Sequence, residues 1–420
     1  MSHAAAGTAG RGKLFFVIVI VLSIAAGAFW FFWTRQAPTA GPLRLIPVAF
    51  SDVPGWSGND PRGALAAFRR SCAALMKVPA TNTMGGVGYA GAVGEWQDAC
   101  SAVPVKDVSP SVARRFFETR FAPAAIGAGS TAQGLFTGYY EPELHASRTK
   151  TSAYHTPIYG LPDDLVNVDL GLFKSALHGE QIYGRVDGHR LVPYATRAEI
   201  DANGLTHAPV LFYADDPIAV FFLHIQGSGR VRLADGSFLR LAFAGVNGRA
   251  YTPIGRTLIA QRALDRQSVS LQSIRAWLVA HPDAARAVME SDDSFVFFQE
   301  KPLGDPSLGS PGSEGVALTP GASLAVDSHL HALGVPFFVA ATSPDPDAAK
   351  PDQPLDRLLV AQDTGGAIKG PVRGDVFWGF GPSAEAIAGR MKSPGRLFVL
   401  LPKRLAASLA PYKDYPGESQ

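Results

Sequence analysis

Charge is scarce in this chain. Only 18% of its 420 residues are Asp, Glu, Lys or Arg, and the net charge is +2. So even a balance excludes a basic nucleic-acid binder recognised by charge and an acidic solvating chain. With 47% hydrophobic residues, the composition is that of a protein that buries a core. Cysteine occurs twice, at Cys72 and Cys100, which excludes a four-thiolate zinc site. No His pair stands at HxxxH or HExxH spacing, so metal-assisted hydrolysis has no local support. Gly-x-Ser-x-Gly is missing too; Gln226-Gly227-Ser228-Gly229 comes nearest and lacks the first glycine. No phosphate-binding glycine loop with Lys-Ser or Lys-Thr occurs. Asp363-Thr364-Gly365 has no second copy, so the two carboxylates of a single-chain aspartic protease are not available.

Glycine (44) and proline (32) are plentiful, which predicts many turns and short strands. Leu14 to Trp33 is free of charge, with only Ser23 clearly polar. As a helix it spans roughly 30 Å, the thickness of a bilayer core. Arg11 and Lys13 precede it and favour a cytoplasmic N-terminus with an exported body. The rival reading is a cleaved signal peptide, whose apolar core is shorter, about 7–15 residues. The aromatic end, Phe29 to Trp33, suits an interfacial belt instead. The chain then divides into a tail (1–13), an anchor (14–34) and a linker (35–60) ahead of the body.

In the body, Pro61 to Lys77 has helical spacing, with Leu65, Phe68, Cys72 and Leu75 on one face. Ser109 to Arg120 reads as a second helix capped by Ser109 or Ser111. In an exported protein Cys72 and Cys100 read as one disulfide; two buried thiols are the alternative. From Gly134 the texture is β. Runs at Leu135–Tyr139, Pro209–Tyr213, Ala219–Ile225, Phe238–Phe243 and Ser294–Phe298 predict strands. After a loop at Pro302–Gly312, strands resume at Ser323–Val326, Val335–Ala341, Arg357–Gln362, Val376–Gly379 and Arg396–Leu401. Ser383–Lys392 is a helix candidate. The fold class is mainly β, a barrel with peripheral helices.

The chemistry concentrates in Asp363-Thr364-Gly365-Gly366-Ala367-Ile368-Lys369-Gly370 and the following Pro371-Val372-Arg373-Gly374-Asp375. Asp363 ends one strand and Asp375 opens the next, so a turn can bring both to one barrel rim. Asp327 is a third carboxylate at a strand end. The plain alternative is that each Asp caps a turn through its own backbone.

These blocks resemble the membrane-bound lytic transglycosylase A (MltA) family of murein hydrolases. The matching pieces are Phe136-Thr137-Gly138-Tyr139-Tyr140-Glu141-Pro142, Thr156-Pro157-Ile158-Tyr159, Phe222-Leu223-His224-Ile225-Gln226-Gly227-Ser228-Gly229, Ser294-Phe295-Val296-Phe297-Phe298, and the Asp363-to-Gly379 block. The likeness covers roughly 60–405. It implies a double-psi β-barrel, built from 61–142 and a three-aspartate domain at 299–420, with an inserted β-domain at 143–298 and a glycan groove between them. It implies cleavage of the β-1,4 bond from N-acetylmuramic acid to N-acetylglucosamine, with a 1,6-anhydro product. Asp375 becomes the single acid/base; Asp363 and Asp327 become supporting carboxylates. Tyr139, Tyr140, Glu141, Gln226, Gly227, Ser228, Gly229 and Lys369 become sugar-binding residues, aromatic faces stacking on rings and amides reading N-acetyl groups. Lys369 is expected to hold backbone or sugar and to stay off Asp375, whose pKa it would lower. No metal or cofactor is implied. The expected partners are peptidoglycan strands and, through the anchor, a membrane; nucleic acid is not among them. The competing functions are a non-catalytic expansin-like glycan binder and an inverting endoglycosidase.

Overall fold

The computed structural model describes residues 42–408 and 413–415, apart from 130 and 178–179. The apolar run 14–33 and its tail lie outside the described residues. No described helix is long and apolar enough to cross a membrane.

Among the described residues, alternating and β-rich segments form eighteen strands. First come β1 (Leu43–Pro47), β2 (Phe121–Ala128) and β3 (Gly134–Glu141). The middle of the chain supplies β4 (Glu143–Ser147), β5 (Thr156–Tyr159), β6 (Val166–Asp169), β7 (Gln181–Asp187), β8 (Arg190–Pro193), β9 (Val210–Ala214), β10 (Gly229–Leu233), β11 (Phe238–Val246) and β12 (Val296–Pro302). The last third adds β13 (Ser323–Val326), β14 (Pro336–Ser343), β15 (Gln353–Thr364), β16 (Arg373–Phe380), β17 (Lys392–Pro402) and β18 (Lys413–Tyr415).

Six strands close into a barrel in the order β14-β15-β13-β16-β3-β17, with β17 returning to β14. Closure removes the sheet edges that would otherwise pair with other chains. Two of the pairings, β13 with β15 and β16 with β3, are parallel. At eleven residues, β17 is long enough to pair with β3, β14 and β2 in turn, and β2, β1 and β18 extend the sheet beyond it. The core is apolar: Leu324, Val326, Phe337, Val360, Val376 and Val399 are fully buried.

Helix Arg62–Leu75 lays Leu65, Phe68 and Cys72 into this core, the face expected from its spacing. Helix Pro110–Arg120 starts at Ser109, whose hydroxyl accepts the N–H of Val112. Phe68 meets Phe121 edge-on at 5.5 Å. Cys72 and Cys100 are joined as a disulfide that staples helix Arg62–Leu75 to helix Gly94–Ser101. Closing a loop with a sequence separation of 28 restrains the unfolded chain by about 3–4 kcal/mol. Thiol titration of the unfolded, unreduced protein is therefore expected to find no free thiol. Two titratable thiols would refute the bridge, and reduction should lower the unfolding midpoint.

The second sheet runs β12-β11-β10-β4-β9-β5, and β6-β7-β8 form a small third one. One expected strand here is a helix: Ala219–Ile225 lies inside helix Pro217–Gln226. Its uniformly apolar run has no readable period. Its ends decide the matter: Pro217 occupies the first turn, Asp216 accepts the N–H of Ile218, and Gly227 stops the helix in the left-handed region at φ 76°. Helices Ile254–Ala260, Leu271–Ala280 and Pro282–Glu290 add to it, so this part is α+β rather than β alone.

Candidate active site

Strand register assembles the site. Ala325 of β13 stands opposite Asp363 of β15 on one side and Asp375 of β16 on the other. Asp375 in turn stands opposite Thr137 of β3. Paired residues share a face, so Asp363, Ala325, Asp375 and Thr137 form one row across four strands. The two carboxylate-bearing backbones lie two strand spacings apart, roughly 10 Å. Ala325 is the small residue that leaves room between them.

The row depends on a β-bulge. Leu324 pairs with Ala361, but Ala325 pairs with Asp363, leaving Gln362 as the extra residue. The bulge turns Asp363 onto the face of Ala325 and sends Gln362 into the interior. There the Gln362 amide donates to Ala67 O (3.0 Å) and Ser71 Oγ (2.9 Å) and accepts from Ser323 Oγ. Two residues along from the row, Tyr139 and Phe377 pack with tilted rings at 5.2 Å and, with Leu318 and Ala325, make an apolar floor.

Asp375 is half-buried. Its Oδ1 accepts from Thr137 Oγ1 at 2.6 Å, and Thr137 Oγ1 accepts from Arg373 Nη2 at 2.9 Å. Arg373 is itself held by the carbonyls of Gly374 and Leu135. Loss of water pushes the Asp375 carboxyl up to about 6. Arg373 and Thr137 oppose that shift, and the neighbouring Asp363 adds to it. Asp363 is also raised by burial, yet its oxygens are occupied. Tyr139 donates its hydroxyl to Oδ2 (2.8 Å), while Ser313 N, Ser313 Oγ and Thr364 N donate to Oδ1 at 3.0, 3.0 and 2.9 Å. Burial and Asp363 hold the Tyr139 phenol well above its ordinary value, so it remains a donor throughout the neutral range.

Asp327 is buried and works on the backbone. It accepts from Gly370 N at 2.8 Å and His329 N at 3.3 Å, tying the turn after β13 to the glycine-rich loop. Lys369 Nζ lies 3.9 Å from it and is otherwise exposed. The cation beside Asp375 is Arg373. His331, buried and pushed down to about 4 by loss of water, braces the same loop: Nε2 donates to Pro371 O and Nδ1 accepts from Tyr89.

Other expected sugar contacts turn inward. Tyr140 points to the opposite face from Tyr139 and packs on Ala384 and Ala388. Its N–H donates to Gln226 Oε1 at 3.0 Å, so the amide grips a strand of the barrel. Glu141 is 0% exposed; Arg230 Nε (3.0 Å) and Ser310 N hold its two oxygens. The expectation of a sugar-binding Glu141 gives way to a buried ion pair. A Cβ at Gly229 would stand 2.9 Å from Pro142 O, so this glycine permits close packing against β3's continuation. Ser228 is half-buried beside it. Thr137, Arg373 and Ser313 were not expected from the sequence. The one signal was Thr137-x-Tyr139-x-Glu141, which places three polar side chains on one strand face. Among the described residues one trio has metal-ligand proximity, Asp163, Asp164 and His207, and it includes none of the row carboxylates.

Two family descriptions match the chain: "MltA specific insert domain" over residues 135–299 and "3D domain" over 322–401. A membrane-bound lytic murein transglycosylase A of Vibrio cholerae is 34% identical over 283 residues, 66% of this chain and 68% of the relative. The crystal structure of a membrane-bound lytic murein transglycosylase from Agrobacterium tumefaciens superposes with a TM-score of 0.75 at 32% identity, covering 86% of this chain and 99% of that one. A structure of Escherichia coli MltA with bound chitohexaose gives 0.61 at 25% identity, covering 88% and 96%.

Proposed function

We infer the chemistry from one premise: this chain belongs to the membrane-bound lytic murein transglycosylase A family. It is a peptidoglycan-cleaving lyase of the cell envelope. The finer reading is that it cuts the β-1,4 bond from N-acetylmuramic acid to N-acetylglucosamine and leaves a 1,6-anhydro ring, with Asp375 acting alone as acid and then base. The observation that carries it is the environment of Asp375: one oxygen fixed by Thr137, and a carboxyl pushed up to about 6 on an apolar floor. The chitohexaose-bound relative supports a glycan as the ligand.

Thr137 occupies Oδ1 as a donor, so the proton of neutral Asp375 sits on Oδ2 and is free to pass to the leaving glycosidic oxygen. The carboxylate that results is stabilised by Thr137 and Arg373. It then takes the proton of the C6 hydroxyl as that oxygen attacks the anomeric carbon. The nucleophile belongs to the substrate and is held at high effective molarity, so no second carboxylate is required. An inverting mechanism would need a free carboxylate to activate water. Asp363, with four donors on its two oxygens, is a poor base for that purpose. Mass spectrometry of digested murein tests the reading: the terminal muramic acid should be one water lighter than a hydrolysis product. Hydrolytic ends would overturn it.

The pH dependence follows from the sign of the shift. The reactive form is protonated, and its pKa is raised, so kcat/KM should be high below about 6 and fall roughly tenfold per pH unit above it. Arg373 pulls that pKa down. Arg373→Gln should therefore move the alkaline limb to higher pH. A limb that stays put or moves down would show that Arg373 does not face the titrating group.

The six-strand ring with two parallel pairs supports reading the barrel as double-psi. The run 14–33 is read as an uncleaved anchor that leaves the body in the periplasm.

A further inference from the structure

A cleft of about 650 Å³ opens at the start of helix Arg62–Leu75, between that helix and the barrel segments Pro320–Ala322 and Asp356–Leu358. Nothing in the mechanism uses it. Its walls carry the carboxylates Asp60, Asp107 and Asp356 and, beside them, several hydrogen-bond donors that lack an acceptor. Asn59 is 6% exposed; its Oδ1 accepts from Leu358 N, which fixes the amide, and its Nδ2 has no partner. Asp60 Oδ1 accepts the N–H of Arg62 at 3.1 Å at the helix start, whereas the N–H groups of Gly63 and Ala64 have no acceptor among the described residues. Arg357 lies on the opposite wall. Among the described residues its one side-chain hydrogen bond is long, 3.5 Å to Gly321 O, and its guanidinium lies over the Trp378 ring at 5.5 Å. It has no ion pair among the described residues, and burial alone acts on its charge. The other cations of the cleft are taken: Arg62 by Asp60 at 2.6 Å, and Arg69 by Pro104 O, Lys106 O and Asp107.

A half-buried guanidinium without an ion pair, an orphaned buried amide and two N–H groups left over in the first turn of a fourteen-residue helix can all be satisfied by one ligand. We propose that this cleft is a carboxylate-binding site that takes the stem peptide of the murein substrate. The proposal rests on the murein reading above. The distance suits it. Gly321 N donates to Phe377 O at 2.7 Å, and Phe377 is two residues beyond Asp375 on β16. Two residues of strand and one inter-strand step come to roughly 10–12 Å. A four-residue stem reaches about 13–14 Å when extended. A glycan at Asp375 can therefore deliver a stem carboxylate to the cleft. Asp356, on the same wall, is placed to receive an ammonium group of the same peptide.

The test is calorimetric titration of the full chain in detergent with free murein tetrapeptide, chitohexaose, acetate and inorganic phosphate. The tetrapeptide should bind saturably and more tightly than either small anion. Arg357→Gln and Asn59→Asp should each weaken it at least tenfold without lowering the unfolding midpoint. The same variants should raise KM for peptide-bearing murein and leave kcat unchanged. The proposal falls if the tetrapeptide does not saturate, or if both variants bind it like the wild type. It also falls if phosphate binds as tightly, since that marks a bare anion site, or if chitohexaose displaces the peptide. If the peptide binds in an Arg357-dependent way but no anhydro product forms, the catalytic reading fails and the cleft stands. Product without peptide binding removes the cleft alone.

Discussion

Asp375→Asn abolishes anhydro-sugar release and leaves murein binding nearly intact: that is the expected result, with a rate loss at or beyond the upper end of the 10²–10⁴-fold range for an acid/base group. The amide keeps the shape of the carboxyl and can still accept from Thr137, but it has no proton to give and no basicity with which to take one back. In the proposed mechanism one group serves both proton transfers, so both steps should fail together. Stability should move the other way. The folded carboxyl is raised to about 6, so ionising it at neutral pH costs folding energy above the unfolded pKa, and the amide removes a penalty of order 1–3 kcal/mol. A dead variant with a higher unfolding midpoint is thus the signature. Asp363→Asn and Asp327→Asn should keep residual turnover, because the first orders a loop around Ser313 and the second ties down Gly370. If Asp375→Asn keeps about a tenth of the activity, far above the acid/base range, while Asp363→Asn is dead, the catalytic carboxylate has been misassigned.

The largest stability effect is expected at Arg230. Its Nε holds Glu141 at 3.0 Å, its Nη2 holds Leu308 O, and its guanidinium covers the Phe380 ring at 3.3 Å. Both partners are buried, so Arg230→Met strands a carboxylate without its cation, a loss of about 3–5 kcal/mol. Glu141→Gln, Arg230→Met together should recover most of it, because two neutral side chains need no mutual charge. Activity should fall in the single variant as well. Arg230 and Arg240 hold the carbonyls of Leu308 and Gly309, and Glu141 holds Ser310 N, just ahead of Ser313 and its bonds to Asp363. Denaturant unfolding of Arg230→Met, Glu141→Gln and the double variant measures the coupling. A single variant as stable as the wild type would show that the pair contributes nothing to the fold.

Most elements were legible because their signals are local. Ser109 caps its helix through a hydroxyl three residues from its target, and Leu65, Phe68 and Cys72 fall on one face at any helical pitch. The glycine-rich block stood out because only turns use glycine so densely. Ala219–Ile225 failed for the opposite reason: an apolar run bounded by Pro217 and Gly227 carries its information in its ends, not in its period. Glu141 failed because nothing local distinguishes a carboxylate bound for solvent from one that will meet Arg230, 89 residues away.

By itself, then, the sequence determined the family, the β-rich class, the three aspartates and the two cysteines, since turn chemistry, composition and short motifs are properties of neighbouring residues. Only the tertiary structure decided what surrounds each carboxylate. Thr137 and Asp375 are 238 residues apart and meet through strand register. One bulged residue, Gln362, turns Asp363 onto the same face. Burial raises both carboxyls, and hydrogen bonds separate them: Asp363 has donors on both oxygens, whereas Asp375 keeps one oxygen free. Register, bulges and desolvation belong to the packed sheet, and no stretch of chain carries them alone.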